Sequence, residues 1–300
     1  MKLQYHLEYA GVRLLIALAR SVSPKTGTWI GERLGDVAFD MVRRRRTLTI
    51  RHLAQAMPAN DAVRTARSVY RHLGCTAVEH SRMLGSSITD ISDRIAVTGD
   101  EHVTQALTHG NGVVLVTGHF GYWELLGATV ASLGLPIAVV AKDQHNPAVN
   151  QLIIRCRERL GMRVIPMASA THAVMKGLKR NECIGLLVDQ DAGPGGAFVR
   201  FMGRPASTYQ GPAVFALRTG APIVPCFIIR EGTERHRVVF EAPIAAVPTG
   251  NEEADIQRYT QAYTDVLERY ILTYPDHWFW VHRRWKTRSP ERTPEHVAES

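Results

Sequence analysis

The chain has only four cysteines in 300 residues, Cys75, Cys156, Cys183 and Cys226, and no two of them form a C-x-x-C pair. That spacing excludes a zinc finger and a redox dithiol and points away from a disulfide framework. Three of the four lie in or beside apolar stretches, so they read as reduced core residues of a cytoplasmic protein. Long apolar runs are also missing. Leu14 to Ala19 is the apolar centre of the N-terminus, and Arg13 and Arg20 close it off. A spanning helix needs roughly 20 such residues, and a secretory signal needs a longer centre and a cleavage site. G-x-x-x-x-G-K-[ST], G-x-S-x-G and H-E-x-x-H do not occur, so a nucleotide-phosphate loop, a serine nucleophile elbow and a zincin helix are unsupported. There is no internal repeat and no low-complexity linker. Acidic residues are in deficit, 28 against 36 Lys and Arg, for a net charge of +8. The surplus favours acidic partners: nucleic acid, anionic lipid headgroups or an acidic carrier protein.

What is present is an ordinary globular composition, 45% hydrophobic and 21% charged, enough for one sizeable core. Its centre is Val113 to Leu126, VVLVTGHFGYWELL. The β-branched start predicts a strand buried on both faces, Gly118 a tight turn, and the remainder a helix. Glu124 follows His119 by five positions, so in one straight helix the two would point to different faces. They meet only if His119 stays in the turn, where Glu124 holds one ring nitrogen and the other takes a proton from a hydroxyl. A structural His/Glu pair is the competing reading of the same spacing.

Around this stretch the pattern divides. Residues 1–91 read as helical and packed on the core, with His6, Arg13 and Arg20 on one helical face and Leu7, Leu14, Leu15 and Leu18 elsewhere. That amphipathic helix suits either the core or a membrane interface. The run Arg43 to Arg46 suits a solvated face or a cationic ledge at a phosphate-rich surface. From residue 92 to 289 short β-type runs alternate with helices. That predicts an α/β fold, a mixed, mostly parallel sheet flanked by helices under an N-terminal helical cap. Residues 290–300 read as a loose tail. Ligands of such sheets bind beyond the carboxyl ends of the strands, which gathers His119 with Asp189, Gln190 and Asp191. The aromatic and basic tail, with Trp278, Trp280 and Trp285 among arginines, suits an oil–water boundary, single-stranded nucleic acid, or aromatics folded back on the core.

GHFGYWE resembles the H-x-x-x-x-[DE] motif of glycerolipid and lipid A acyltransferases, in the version of the lauroyl/myristoyl acyltransferases of lipid A biosynthesis. Two further segments match that family in order. They are DQDAGPGGAFVRFMGRPASTYQGPAVFALRTGAPIVP and the tail YPDHWFWVHRRWK. His52 departs from the family pattern, standing where an asparagine is usual. The resemblance implies a peripheral or monotopic enzyme on the cytoplasmic face of the bacterial inner membrane. It would move a fatty acyl group from an acyl carrier protein thioester to a hydroxyl of a membrane-embedded glycolipid, a lipid A precursor, with no cofactor, metal or nucleic acid. His119 would be the base and Glu124 its partner. Arg155, Asp189, Arg200 and Arg204 would contact substrate, Asp189 positioning the acceptor or the histidine. Turn amides near Gly121 or Arg155 would hold the oxyanion. Another lysophospholipid, aminolipid or mannosylated acceptor is the near alternative, and a non-enzymatic basic protein binding membrane or nucleic acid the remote one.

Overall fold

The computed structural model describes residues 3–58, 61–86 and 94–289; the tail expected to be loose, 290–300, lies outside them. Four helices come first: α1 (Leu3–Ser21), α2 (Pro24–Met41), α3 (Arg43–Ala56) and α4 (Ala62–Met83). Their starts are encoded locally. Ser23 accepts from Thr26 N with Pro24 opening the helix, and Asp61 accepts from Val63 N and Arg64 N, which satisfies amides that have no partner inside a helix.

The glycines of α2 decide how this cap is built. Gly27, Gly31 and Gly35 lie on its buried face. A Cβ on Gly31 would stand 2.6 Å from the Cys75 Cα, and one on Gly74 would run into the Gly31 carbonyl oxygen. α2 and α4 therefore meet backbone to backbone. In α1, Val12 and Ile16 pack inward and Asn146 Nδ2 donates to Tyr5 O at 3.0 Å. Leu3, Leu7, Leu14 and Leu18 turn away from the core, 74%, 65%, 60% and 55% exposed, within an arc of about 60° at 3.6 residues per turn. Trp29, Leu34, Val37 and Met41 of α2 add to this exposed apolar surface.

The rest of the chain alternates: β1 (Ile95–Thr98), α5 (Asp100–Leu107), β2 (Val113–Thr117), α6 (Trp123–Ser132), β3 (Ile137–Ala141), α7 (Pro147–Arg159), β4 (Met162–Pro166), α8 (Ala170–Lys179), β5 (Cys183–Leu187), β6 (Ala197–Phe201), β7 (Arg204–Thr208), α9 (Gly211–Thr219), β8 (Ile223–Gly232), β9 (Arg235–Phe240) and α10 (Glu252–Thr273). Seven strands form one sheet in the order β1-β9-β8-β2-β5-β3-β4. Within this sheet, among the described residues, only the β8/β9 pair is antiparallel. The expected mixed, mostly parallel sheet under a helical cap is the fold found. β2 sits in the middle with every residue buried, as its apolar sequence requires. The glycines Gly193, Gly195 and Gly196 after Asp191 lead into a hairpin. β6 and β7 form a hairpin with Ala197, Val199 and Phe201 inward, fastened to α10 by Arg200 N donating to Gln261 Oε1 at 2.8 Å.

Of the three readings left open for the tail, Trp278 and Trp280 take the one in which the aromatics fold back on the core. They are 1% and 0% exposed, and Trp280 Nε1 donates to Pro275 O at 2.7 Å. Their ring area does more against Phe201 and each other than at a wet edge. Arg284 is buried as well, donating to Ser207 O and Thr208 Oγ1. His52 meets the same tail, its Nδ1 3.3 Å from Trp280 O. Burial pushes the imidazole down to about 4, so the ring is neutral and Nδ1 donates.

The α2/α4 contact gives a test. Gly74→Val places side-chain atoms where the Gly31 and Gly35 backbones lie, and overpacking of this kind costs about 2 to 3 kcal/mol. A lowered urea midpoint is expected, and an unchanged one would show that the helices are free to separate.

Candidate active site

β2 and β5 run parallel with Thr117 opposite Leu187. Each continues two residues past that pair, so His119 and Asp189 emerge side by side at the carboxyl end of the sheet. Gly118 leaves the room they need, since a Cβ there would stand 3.1 Å from the Asp189 carboxyl carbon. Gly121 closes the turn at φ +58, a left-handed conformation open to glycine at no steric cost. The tail clamps this turn: Gly121 N donates to His277 O at 2.8 Å and Phe279 N to His119 O at 3.0 Å.

Asp189 uses both its oxygens. Oδ1 accepts from His119 Nδ1 at 2.8 Å, and Oδ2 accepts from His119 N at 2.7 Å and Trp278 Nε1 at 2.8 Å. Burial alone would raise this carboxyl, but the His119 charge and the hydrogen bonds outweigh it and hold it below its ordinary value. For His119 burial pulls down, while the charge and hydrogen bond of Asp189, with the Glu124 charge behind them, pull harder and raise the imidazole. An ionised Asp189 can only accept, so Nδ1 carries the proton and Nε2 presents a lone pair. The Gln190 amide nitrogen stands 3.3 Å from it.

The partner expected for His119 was Glu124, and here the structure corrects the sequence reading. Glu124 lies in the first turn of α6 and accepts from Arg157 Nε at 3.0 Å and Nη2 at 2.6 Å. Burial would raise Glu124; the Arg157 hydrogen bonds and charge lower it instead. It acts on His119 by charge and forms no hydrogen bond with it. The oxyanion candidates change too. The Gly121 amide is taken by His277 O, and Arg155 is exposed on α7, two residues from the arginine that turns inward. Arg200 is exposed on β6, and Arg204 donates to Gln55 Oε1 at 2.6 Å while lying over the Trp285 ring at 5.0 Å. None of these three hydrogen-bonds His119 or Asp189. Sequence reading gathered Gln190 at the crevice with His119 and missed Arg157 and Trp278 as neighbours of the site. The D-Q-D run was the available signal for Gln190.

Trp123 and Phe279 wall the imidazole, with ring centroids 5.0 and 6.0 Å from it. Phe279 also lines a cavity of about 500 Å3 between α2, α4 and the tail, with Leu34, Ala38, Val42, Leu73 and Val281. A separate group, His72, Asp276 and His277, has metal-like spacing. His277 Nε2 accepts from Arg230 N at 3.0 Å, which leaves the ring proton on Nδ1, donated to Asp276 at 2.8 Å. In that tautomer Nδ1 has no lone pair for an ion.

A proton acceptor held by a buried carboxylate at a sheet's carboxyl edge, beside an apolar cavity, is an arrangement suited to acyl transfer. The chain belongs to the bacterial lipid A biosynthesis acyltransferase family, whose model matches residues 1–287. It is 26% identical to the lipid A biosynthesis lauroyltransferase of Escherichia coli K12 over 97% of this chain and 94% of that protein. The palmitoleoyltransferase of the same strain is 24% identical over 87% and 85%. A phosphatidylinositol mannoside acyltransferase of Mycolicibacterium smegmatis is 27% identical over 70% of this chain, and the match spans 66% of that relative's length.

The His119/Asp189 pair predicts a titration. Asp189→Asn removes the carboxylate that stabilises the imidazolium, so the His119 pKa falls. Following the ring proton by NMR in both proteins checks the sign; an unshifted midpoint would mean that Asp189 only orients the ring.

Proposed function

We propose that this chain transfers a fatty acyl group from an acyl carrier protein thioester to a hydroxyl of a lipid A precursor. The observation that carries the reading is the His119 Nε2 lone pair, fixed by Asp189 at Nδ1, next to an apolar cavity reached past Phe279. The acceptor hydroxyl gives its proton to Nε2 as its oxygen attacks the thioester carbonyl. The tetrahedral intermediate expels the thiol sulfur, which takes that proton from the imidazolium. Asp189 stabilises the imidazolium meanwhile. The Gln190 amide, 3.3 Å from Nε2, is a side-chain donor within reach of the oxyanion, and the cavity holds the acyl chain. A mannosylated glycolipid acceptor is the second reading, favoured by the 27% identity to the mannoside acyltransferase.

The outward leucines of α1 support attachment at a membrane surface, on the cytoplasmic face in this reading. No helix of the described residues is long and apolar enough to cross a bilayer, so attachment is by an interfacial face. Burying the exposed part of each leucine contributes about 1 to 2 kcal/mol, and nearby arginines add attraction to anionic lipid that salt screens.

His119→Ala should lower transfer by about 100- to 10,000-fold in a folded protein. Rates within threefold of the parent would refute the base. Because His119 is raised and acts deprotonated, kcat/KM should climb with pH through a midpoint above that of a free imidazole. Asp189→Asn should move this limb to lower pH and reduce the plateau. For the membrane, Leu7→Gln, Leu14→Gln and Leu18→Gln together leave Val12 and Ile16 packed. They should shift the protein from sedimenting vesicles to the supernatant while sparing activity on detergent-dispersed substrate. Equal sedimentation would remove α1 from the membrane contact.

A further inference from the structure

A second cavity, of about 430 Å3, is lined by Arg44, Arg45, Thr47, Leu48, Arg51 and Arg283. It adjoins the apolar one. Arg45 lines both and donates from Nη1 to Val281 O at 2.9 Å, and the consecutive His282 and Arg283 line one each. No carboxylate lines it, and among the described residues none of its four arginines forms an ion pair. Like charges gathered this way repel. Arg44 and Arg45 also stand at the start of α3, whose first turn has no acidic residue and whose cap, Val42, offers no side-chain hydrogen bond. The helix dipole there favours negative charge. Several guanidinium forks around one cavity match the geometry and charge of a phosphate.

The position selects the source of that phosphate. Arg44 and Arg45 come just after Met41 and Val42, which are exposed at the end of the outward apolar surface of α2. They therefore lie where that surface meets the acyl cavity, at headgroup level for a lipid whose chains stay in a bilayer.

We propose that this cavity binds a phosphate group of the lipid acceptor, so that an anchored headgroup presents its hydroxyl to His119. The proposal rests on the acyl-transfer reading above and names a chemical requirement of the acceptor. The arginines supply charge and hydrogen bonds, and no bond is made or broken there.

The test uses the full chain, its Arg51→Gln/Arg283→Gln variant, and Arg218→Gln as a control for net charge, since Arg218 is exposed and pairs with Glu252. Transfer is measured on a disaccharide lipid acceptor with its phosphates and after their enzymatic removal. The double variant should raise the acceptor KM about tenfold or more on the phosphorylated lipid, change kcat less than KM, and leave the dephosphorylated lipid and the donor KM as in the control. An unchanged acceptor KM, or an equal loss on both acceptors, overturns the proposal. A rise in donor KM instead overturns it in favour of the donor's own phosphodiester. A binding arm needs no turnover: titration with dihexanoyl phosphatidic acid and with dihexanoylglycerol. If neither lipid acceptor is acylated yet phosphatidic acid binds through these arginines, the phosphate site stands and the acyl-transfer reading fails. If acceptors are acylated and phosphatidic acid binding ignores the arginines, the site fails and the reading stands.

Discussion

The Asp189 carboxylate is the point on which the molecule converges. It is buried, and a buried carboxylate with its hydrogen bonds unmet costs several kcal/mol. Three donors meet that demand, two from the turn after β2 and one from Trp278, 89 residues further on. Its neighbours repeat the pattern. The Asp191 carboxylate accepts from Thr287 N at 3.0 Å and Thr287 Oγ1 at 2.8 Å, and Asp191 N donates to His282 Nε2 at 3.1 Å. Each member of the D-Q-D run at the end of β5 thus binds either the histidine turn or the tail. Arg284 adds a counter-charge; burial pushes its guanidinium down to about 10, and it stays charged near neutral pH.

Much of the fold was legible because its signals are local. Buried parallel strands are short β-branched runs, helices are capped by Ser23, Asp61 and Asn146, and the alternation from Ile95 onward admits few arrangements. The placement of His119 in a turn after β2 was legible for the same reason. Its partner was not. Spacing along the chain singled out Glu124, five residues away, whereas the register of β2 on β5 sets Asp189 beside it. Register is a property of two strands distant in sequence, so no window of residues around His119 contains it.

Glu124 keeps a physical role that its position explains. On the first turn of α6 it faces α7, where Arg157 forks onto both its oxygens. Glu124 also lies close enough to raise His119 by its charge. The tail was undecided in sequence because tryptophans beside arginines serve a wet boundary and a core equally well. The split runs residue by residue: Trp278, Trp280 and Arg284 go inside, while Arg283 stays out.

The dependence of Asp189 on Trp278 sets the order in which the site is assembled. The ribosome makes β2, its histidine and β5 early, but the indole that completes the carboxylate's shell arrives after α10. A nascent chain that has already folded its sheet therefore still holds an unfinished site. Completion of that shell waits for a segment 89 residues beyond Asp189, and a shortened product that ends just before Trp278 would keep every strand while leaving the carboxylate one donor short.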